Sequence, residues 1–360
     1  MMKYYNYAAG PSALFPEVVE QIKSELGNWA NTHSSVFEIS HRGTEFMAFA
    51  KEMENTFREL LKVPDDYAVL FLQGGGRGAF DAVPLNLPLK HNRALYLTSG
   101  HWSRQPALEA AKYIEVRTAE LVDKDYQPTK LDWTQETQDV DYVHFTANET
   151  VEGIENFTVP KVSPGVLIVA DMSSDILSRP INVSDYDVIY AGAQKNIGCS
   201  GVTVYVVRRS LLGHANKFCP AILNWQIYAD SDSLFNTPAT FSWYTCGLTF
   251  KHLKDTFGNL ENLEQVNIRK VNKLYDYLDS QDFYVNKVNP AVRSRMNVSF
   301  NTPSAELDAK FVKEAQEAGL YYLKGHKVIG GLRASTYNAV SEEAVDALVQ
   351  FMKLFADKYK

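Results

Sequence analysis

The stretch Val188-Ile189-Tyr190-Ala191-Gly192-Ala193-Gln194-Lys195-Asn196 begins as an apolar run and ends just past a lysine. A second apolar run, residues 166–170, ends directly before Asp171. Short apolar runs of this kind are typical of strands that are buried on both faces of a sheet. In an open α/β sheet, ligands bind beyond the carboxyl ends of the strands. The sequence therefore predicts that Asp171 and Lys195 meet at one edge of a sheet.

The same pattern recurs along the first two thirds of the chain. Apolar runs that predict further buried strands lie at residues 68–72, 94–97, 142–145 and 202–207. Helical or loop segments separate several of these runs. This alternation is typical of an α/β fold with a mainly parallel central sheet and helices on both faces.

Helical patterns flank the predicted strands. A helix is predicted to begin at Pro16, because proline is favoured in the first turn. A second amphipathic helix is predicted to open at Thr44, with the threonine as its N-cap. The last third of the chain predicts a helix over residues 263–278, a strand at 296–300, and helices that begin at Glu306 and Glu342.

The change in pattern after the predicted sheet indicates a second domain. A chain of 360 residues is long enough for two domains of ordinary size. We expect a large α/β domain at residues 12–257. A smaller α+β domain would combine residues 258–360 with an N-terminal arm, residues 1–11.

Composition excludes several classes of protein. The formal net charge is -7, so no overall attraction to nucleic acid or to anionic lipid is expected. The chain start lacks the apolar stretch of a signal peptide, and no apolar run approaches the roughly 20 residues of a membrane span. Three widely spaced cysteines argue against a disulfide scaffold or a structural zinc site. A cytoplasmic enzyme without a metal is the expectation.

The pair Asp171 and Lys195 indicates a chemistry. A carboxylate and an amine at one sheet edge are the two contacts that the ring of pyridoxal phosphate requires: the amine forms a Schiff base, and the acid pairs with the pyridinium nitrogen. A solvated surface lysine is the ordinary alternative. Here Gly192 and Gly198 flank Lys195 in a segment that is poor in charge, where desolvation would lower the pKa of the amine.

Residues after three other predicted strands suit the same ligand. The glycine-rich residues 73–78 could hold a phosphate with backbone amides at a helix N-terminus, although a flexible turn is the alternative. A dinucleotide site is disfavoured, since residues 97–102 lack the carboxylate that would bind a ribose. Trp102 could stack on a planar ring or simply pack. Thr150 could donate a hydrogen bond or lie in an ordinary polar loop.

Ordered motifs extend over nearly the whole chain: Ala9-Gly10-Pro11, Ser40-His41-Arg42-Gly43, Gly74-Gly75-Gly76-Arg77, Asn148-Glu149-Thr150, Ala170-Asp171, residues 191–198, Phe235-Asn236-Thr237-Pro238 and Gly330-Gly331-Leu332-Arg333-Ala334-Ser335. In this order and spacing they closely resemble the phosphoserine aminotransferase family. These are class V aminotransferases, pyridoxal phosphate enzymes with the type I fold.

The resemblance implies roles for individual residues. Lys195 would form the Schiff base and carry protons, and Asp171 would hold the ring nitrogen. Residues implied to contact the cofactor are Gly76, Arg77, Trp102, Thr150, Asp171, Gln194 and Lys195, with Asn236 and Thr237 supplied by the neighbouring subunit of a homodimer. Residues implied to bind substrate are Arg333 at the α-carboxylate and His41, Arg42, Arg77, His326 and Lys327 at a second anionic end.

The implied activity is a ping-pong transfer of the amino group of glutamate to 3-phosphohydroxypyruvate in serine biosynthesis, and use of the phosphorylated hydroxythreonine of pyridoxine biosynthesis stays open. Two positions depart from the family pattern: Ala9 stands where some members have serine, and Lys327 where an arginine is often found. Another type I enzyme, such as a cysteine desulfurase or an alanine-using aminotransferase, is the nearest alternative. A non-catalytic binding protein of the same fold is a third.

Overall fold

A computed structural model describes residues 3–87 and 89–360, so the first two residues of the predicted arm lie outside it. The helices are α1 (Pro16–Glu25), α2 (Thr44–Leu61), α3 (Gly75–Asn86), α4 (His101–Ala110), α5 (Trp225–Ala229), α6 (Thr240–Phe257), α7 (Leu260–Asp279), α8 (Ala305–Glu317) and α9 (Glu342–Tyr359). The strands are β1 (Tyr5–Asn6), β2 (Tyr67–Leu72), β3 (Arg93–Thr98), β4 (Glu115–Glu120), β5 (Tyr142–Thr146), β6 (Asn148–Glu149), β7 (Ile154–Glu155), β8 (Leu167–Asp171), β9 (Val188–Gly192), β10 (Thr203–Arg208), β11 (Asn297–Phe300), β12 (Leu320–Tyr321) and β13 (Leu332–Ser335).

A seven-stranded sheet forms the centre of the molecule, in the order β2-β10-β9-β8-β5-β3-β4. Neighbouring strands are parallel except at β10, which runs antiparallel to both β2 and β9. The expected α/β fold with a mainly parallel sheet is confirmed. The edge strand β4 was not predicted, because its side chains are largely exposed and leave no apolar run.

Helices cover both faces of this sheet, as the continuous apolar runs require. On one face, α2 and α6 pack against alternate strand residues such as Phe71 and Ile189. On the other face, α3 and α4 pack against the intervening residues, which include Tyr96, Tyr190 and Tyr205. Because successive residues of a strand point to opposite faces, each strand contributes to both cores.

A smaller α+β unit has its own core. It is built from α7, α8 and α9 with two short sheets, in which β1 pairs with β12 and β11 pairs with β13. The N-terminal arm belongs to this unit, since Tyr7 is buried in its core. At the predicted boundary between residues 257 and 258, Leu260 and Leu263 of α7 still pack in the large core, so α7 joins the two units.

Two helix starts differ from the prediction by one residue, and α7 begins three residues before the predicted start at 263. Helix α2 includes Thr44, and the N-cap is Gly43, which makes no side-chain capping bond. Helix α8 begins at Ala305, because Ser304 caps it through a bond from the backbone amide of Leu307. The starts of α1 and α9 are as predicted. Across residues 3–87 and 89–360, none of the helices combines the length and apolarity needed to cross a bilayer.

Candidate active site

A cavity of about 460 Å³ lies beyond the carboxyl ends of the central strands. The loops that follow β2, β3, β5, β8 and β9 form its floor, and the small α+β unit and the N-terminal arm form its roof. Its lining residues are Ala9, Gly10, Gly74, Gly75, Gly76, Arg77, Phe80, Trp102, Thr146, Asn148, Thr150, Asp171, Ser173, Ser174, Gln194, Lys195, His326 and Arg333. The sheet edge therefore collects residues that are far apart in sequence.

Asp171 and Lys195 both line this cavity. Asp171 is the last residue of β8, and Lys195 follows the neighbouring parallel strand β9 by three residues. The amine of Lys195 donates a 2.7 Å hydrogen bond to Oγ1 of Thr150 and lies 5.6 Å from the centre of the Trp102 ring. Burial lowers the pKa of Lys195, and the cation of Arg333 acts in the same direction against the nearby carboxylates. The lowered pKa increases the share of Lys195 that is in the neutral form.

The carboxyl group of Asp171 is buried but has several partners. Burial raises its pKa, whereas hydrogen bonds from Ser173, the charge of Lys195 and the hydroxyl of Tyr190 all lower it. The backbone amide and the hydroxyl of Ser173 both bind Oδ1, at 2.9 and 2.6 Å. The second carboxylate oxygen is the one left for another partner. A cation at this point of the cavity would stabilise the ionised form.

The glycine-rich turn after β2 opens helix α3. Gly74 and Gly75 have φ values of 111° and 62°, a backbone region that residues with a Cβ rarely adopt. This turn directs the first amides of α3 at the cavity, where the helix dipole favours an anion. Arg77 adds a positive charge, and its guanidinium carbon lies 5.9 Å from the centre of the Trp102 ring. The geometry suits a phosphate group.

Two buried glutamates hold the helix that carries Trp102. The carboxylate of Glu149 accepts hydrogen bonds from the amides of Trp102 and Ser103, at 2.8 and 2.7 Å, and Glu152 accepts from His101 at 2.9 Å. These are the amides that the first turn of α4 leaves without partners in the helix. Sequence reasoning missed this contribution, since the two acids lie about 50 positions further along the chain.

Positive charge gathers at the mouth of the cavity. Arg333, in β13, donates to the carbonyl of Thr150 at 3.1 Å, and burial lowers its pKa. The ring of His326 lies 5.1 Å from the ring of His101. Burial, and then neighbouring cations that include Lys327, lower the pKa of both histidines. Lys327 itself does not line the cavity, and His101 was not among the predicted site residues.

Besides Lys327, four predicted residues lie away from this cavity. Arg42 and Thr237 are exposed, and His41 has a buried Nε2 that finds no partner among the residues the structure describes. The hydroxyl of Tyr228 donates to Oδ1 of Asn236 at 2.9 Å. These positions are the ones for which the resemblance implies contacts across a subunit interface or to the far end of the substrate. Their roles stay predictions.

The predicted residues that do line the cavity are Gly76, Arg77, Trp102, Thr150, Asp171, Gln194, Lys195, His326 and Arg333. Their functional roles also stay predictions. Sequence reasoning did not single out Thr146, Ser173 or Ser174. Polar residues directly after an apolar run, as in 171–174, are the signal that could have identified the two serines.

This set of donors and acceptors fits pyridoxal phosphate. A buried carboxylate with a free oxygen matches a ring cation, an amine of lowered pKa matches an aldehyde, and a glycine turn at a helix N-terminus matches a phosphate. The ring of Trp102 lies 5.6 Å from the amine of Lys195 and 5.9 Å from the guanidinium of Arg77, and offers a flat surface for the cofactor ring. Gly10 leaves room beside Lys195, because a Cβ at this residue would lie 3.2 Å from Cγ of the lysine.

Comparison with known proteins gives consistent results. The model of the family Aminotransferase class-V matches residues 4–348. The phosphoserine aminotransferase of Haemophilus influenzae is 50% identical over 357 residues, covering 99% of this chain and 98% of the relative. The structure of phosphoserine aminotransferase from Bacillus circulans subsp. alkalophilus has a TM-score of 0.94 at 38% identity and 99% coverage of both chains. A pyridoxal-phosphate-bound phosphoserine aminotransferase from Trichomonas vaginalis has a TM-score of 0.90 at 36% identity, covering 98% of this chain and 100% of that one.

Proposed function

Because this chain belongs to the class V aminotransferase family and matches phosphoserine aminotransferases over their full length, we propose that it transfers the amino group of glutamate to 3-phosphohydroxypyruvate. The products are O-phosphoserine and 2-oxoglutarate, and the role is in serine biosynthesis. The observation that carries the proposal is the meeting of Asp171, Lys195 and Arg333 in one cavity beside a glycine turn.

Bound pyridoxal phosphate would supply an aldehyde for the amine and a protonated ring that withdraws electrons from the substrate. Residues of this chain that would hold it are Asp171 at the ring nitrogen, Trp102 on the ring face and Thr150 near the phenolic oxygen. Gly76, Arg77 and Gln194 would bind its phosphate. Asn236 and Thr237 of the partner subunit would complete that phosphate site.

Lys195 is proposed to move the proton. Its amine is held by Thr150 and is desolvated, which lowers its pKa and favours the neutral form that would accept a proton from the substrate Cα. The same Nζ would return that proton to C4′ of the cofactor. Asp171, which is fully buried behind the site, would keep its negative charge opposite the ring nitrogen.

Charge would select the substrate. Arg333 lines the cavity and would bind the α-carboxylate with its planar guanidinium, the geometry that suits carboxylates. The other end of each substrate is also anionic, a phosphate in one half-reaction and a carboxylate in the other. Arg77, His326 and Lys327, together with His41 and Arg42, are proposed to bind that end. Lys327 supplies charge without the planar fork of an arginine, so the affinity for the phosphate depends more on its neighbours.

The proposal includes a homodimer in the cytoplasm. Phe37 is 56% exposed and stacks on Phe241 with ring centres 4.7 Å apart, and Phe235 is 40% exposed. Large apolar side chains that cluster on a surface are typical of protein interfaces. Phe235 directly precedes Asn236 and Thr237, the pair assigned to the partner subunit's site. Phe37 lies close in sequence to His41 and Arg42, and we propose that this second pair also lies at the subunit interface. The keto acid that corresponds to phosphorylated hydroxythreonine is included in the proposal only as a second substrate to be tested.

The test is a comparison of keto acids with the purified holoenzyme and glutamate. Formation of 2-oxoglutarate is measured with 3-phosphohydroxypyruvate, with the phosphorylated keto acid of the pyridoxine pathway, and with pyruvate as the matched compound without a phosphate. We expect kcat/KM for 3-phosphohydroxypyruvate to exceed that for pyruvate by at least about 100-fold, because the cations proposed for the second anionic end would have no partner in pyruvate. Equal use of pyruvate, or faster turnover with alanine than with glutamate, would contradict the proposal.

The positions of the three cysteines bear on the alternative that the protein is a desulfurase. Cys246 is buried and its pKa is raised by burial, whereas Cys199 and Cys219 are half-buried. All three lie outside the set of described residues that line the cavity. A desulfurase requires a thiolate that reaches the substrate. Release of sulfide from cysteine by the holoenzyme would favour this alternative over an aminotransferase.

A further inference from the structure

Two polar side chains lie behind Asp171, on the sheet face that α3 covers. His144 is in β5 and Tyr190 is in β9, the strands on either side of β8. Both are almost completely buried, and Nε2 of His144 lies 2.8 Å from the hydroxyl of Tyr190. Tyr190 is in register with Asp171 in the neighbouring strand, so both side chains lie on the same face of the sheet, and the tyrosine hydroxyl lowers the pKa of the carboxyl group. The three groups therefore form one connected row.

The direction of the hydrogen bonds in this row follows from the histidine. Nδ1 of His144 is buried and has no partner among the described residues. A buried N–H without an acceptor is rarer in folded proteins than a buried acceptor without a donor, so the proton belongs on Nε2. Burial lowers the pKa of His144 to about 3, which keeps the ring neutral. Tyr190 then accepts from His144, so its own hydroxyl proton is left over for the neighbouring Asp171 carboxyl group.

A second chain of donors ends on the same carboxylate. The backbone amide of Gly192 donates to Oγ of Ser173 at 3.0 Å, and that hydroxyl donates to Oδ1 of Asp171 at 2.6 Å. Strand β9 thus supplies a member of each chain, Tyr190 and Gly192. All of these donors are uncharged. They stabilise the carboxylate without a positive charge that would repel a ring cation.

We propose that Tyr190 and His144 are positioning residues that keep Asp171 ionised and oriented toward the ring nitrogen of the cofactor. The inference rests on the proposed function, since it concerns how the same site holds the same cofactor. Neither residue touches the cavity, and both act through Asp171. Tyr96 supports the row, because its ring stacks on His144 with centres 4.7 Å apart at 21°.

The chain offers a matched control. Tyr205 lies in β10, in register with Tyr190 on the same sheet face, and is equally buried. Its hydroxyl has no hydrogen-bond partner among the described residues. Tyr190→Phe and Tyr205→Phe therefore remove the same atom from neighbouring positions in one core. Only the first removes the hydroxyl that pairs with His144 and lies in register with Asp171.

The experiment loads the wild type and both variants with pyridoxal phosphate labelled with ¹⁵N in the ring. For Tyr190→Phe we expect the ¹⁵N resonance to move toward the value of an unprotonated pyridine, and cofactor affinity to fall about fivefold. We expect kcat to fall about tenfold with KM for glutamate changed less than about twofold, because the lost interaction acts on the cofactor and not on the substrate. Tyr205→Phe should match the wild type in all three measurements.

His144→Leu provides a second route if Tyr190→Phe folds poorly, since it leaves the tyrosine in place and removes only its donor. We expect the same direction of ¹⁵N shift, of smaller size. A ¹⁵N resonance in Tyr190→Phe or in His144→Leu that equals that of Tyr205→Phe would overturn the inference while leaving the proposed function intact. A wild-type protein that takes up no pyridoxal phosphate would overturn both.

Discussion

Among single residues, Lys195 is the side chain on which the proposed chemistry depends. Lys195→Ala removes the amine that would bind the cofactor covalently and move the substrate proton. We expect turnover to fall at least about 10³-fold, and the visible absorbance of the bound cofactor to shift toward that of the free aldehyde. Lys313→Ala, at an exposed lysine of α8, is the control and should leave both unchanged. Retained turnover in Lys195→Ala would contradict the proposed mechanism.

A second lysine has a structural effect at the residue scale. Lys270 of α7 is completely buried and donates to the carbonyls of Tyr337 and Val340, at 2.8 and 3.0 Å. Burial lowers its pKa from 10.5 to about 7. Between these two pH values the unfolded chain binds a proton that the folded chain has released. The free energy of unfolding should therefore rise with pH across this window.

Urea unfolding of the wild type and of Lys270→Met at several pH values from 7 to about 9 measures this effect. We expect the stability of the wild type to rise more steeply with pH than that of the variant, by up to about 1.4 kcal/mol per pH unit. The comparison between the two proteins removes the contribution of the other titrating groups. Parallel curves would show that Lys270 releases no proton on folding.

At the scale of an element, the start of α4 is stabilised by acids from a distant loop. Glu149→Gln would replace one acceptor oxygen by an amide that faces the N–H groups of Trp102 and Ser103. We expect the free energy of unfolding to fall by about 1–2 kcal/mol. We also expect weaker cofactor binding, because Trp102 would lose its fixed position.

Glu120→Gln is the matched control for this helix. Glu120 pairs with Arg104 of α4, but both side chains are about half exposed, so the pair should contribute less than about 1 kcal/mol. Thermal unfolding and a cofactor titration distinguish the two variants. Equal effects of Glu149→Gln and Glu120→Gln would show that the buried acid does not position α4.

Elements with a strong apolar pattern could be predicted from the sequence. The runs at 68–72 and 166–170 correspond to β2 and β8 with shifts of about one residue. Strand β4 could not be predicted, because its side chains are mostly exposed at the sheet edge and alternate only weakly between exposed and half-buried. The strand forms through hydrogen bonds to its partner β3, which its own sequence does not reveal. Contacts between elements, such as Glu149 with α4, were also beyond prediction, since sequence distance carries no information about them.

At the scale of the whole molecule, the proposed homodimer predicts complementation between inactive variants. If each site takes Lys195 from one subunit and Arg42 from the other, a mixed dimer of Lys195→Ala and Arg42→Ala has one site that lacks both residues and one intact site. Refolding an equal mixture should restore about a quarter of the wild-type activity, since half of the dimers are mixed and half of their sites are intact. An activity that stays at the level of the two separate variants would show that Arg42 does not act across an interface.

The primary structure alone specified the α/β class, the positions of the main strands along the chain and the pair Asp171 and Lys195, because short-range patterns of apolar residues carry that information. The folded chain decided everything that depends on which strands are neighbours. Placement of β8 between β5 and β9 brings His144 and Tyr190 behind Asp171, and the return of the arm and β13 closes the cavity with Gly10 and Arg333. Strand order follows from packing over the whole core, which no local pattern encodes.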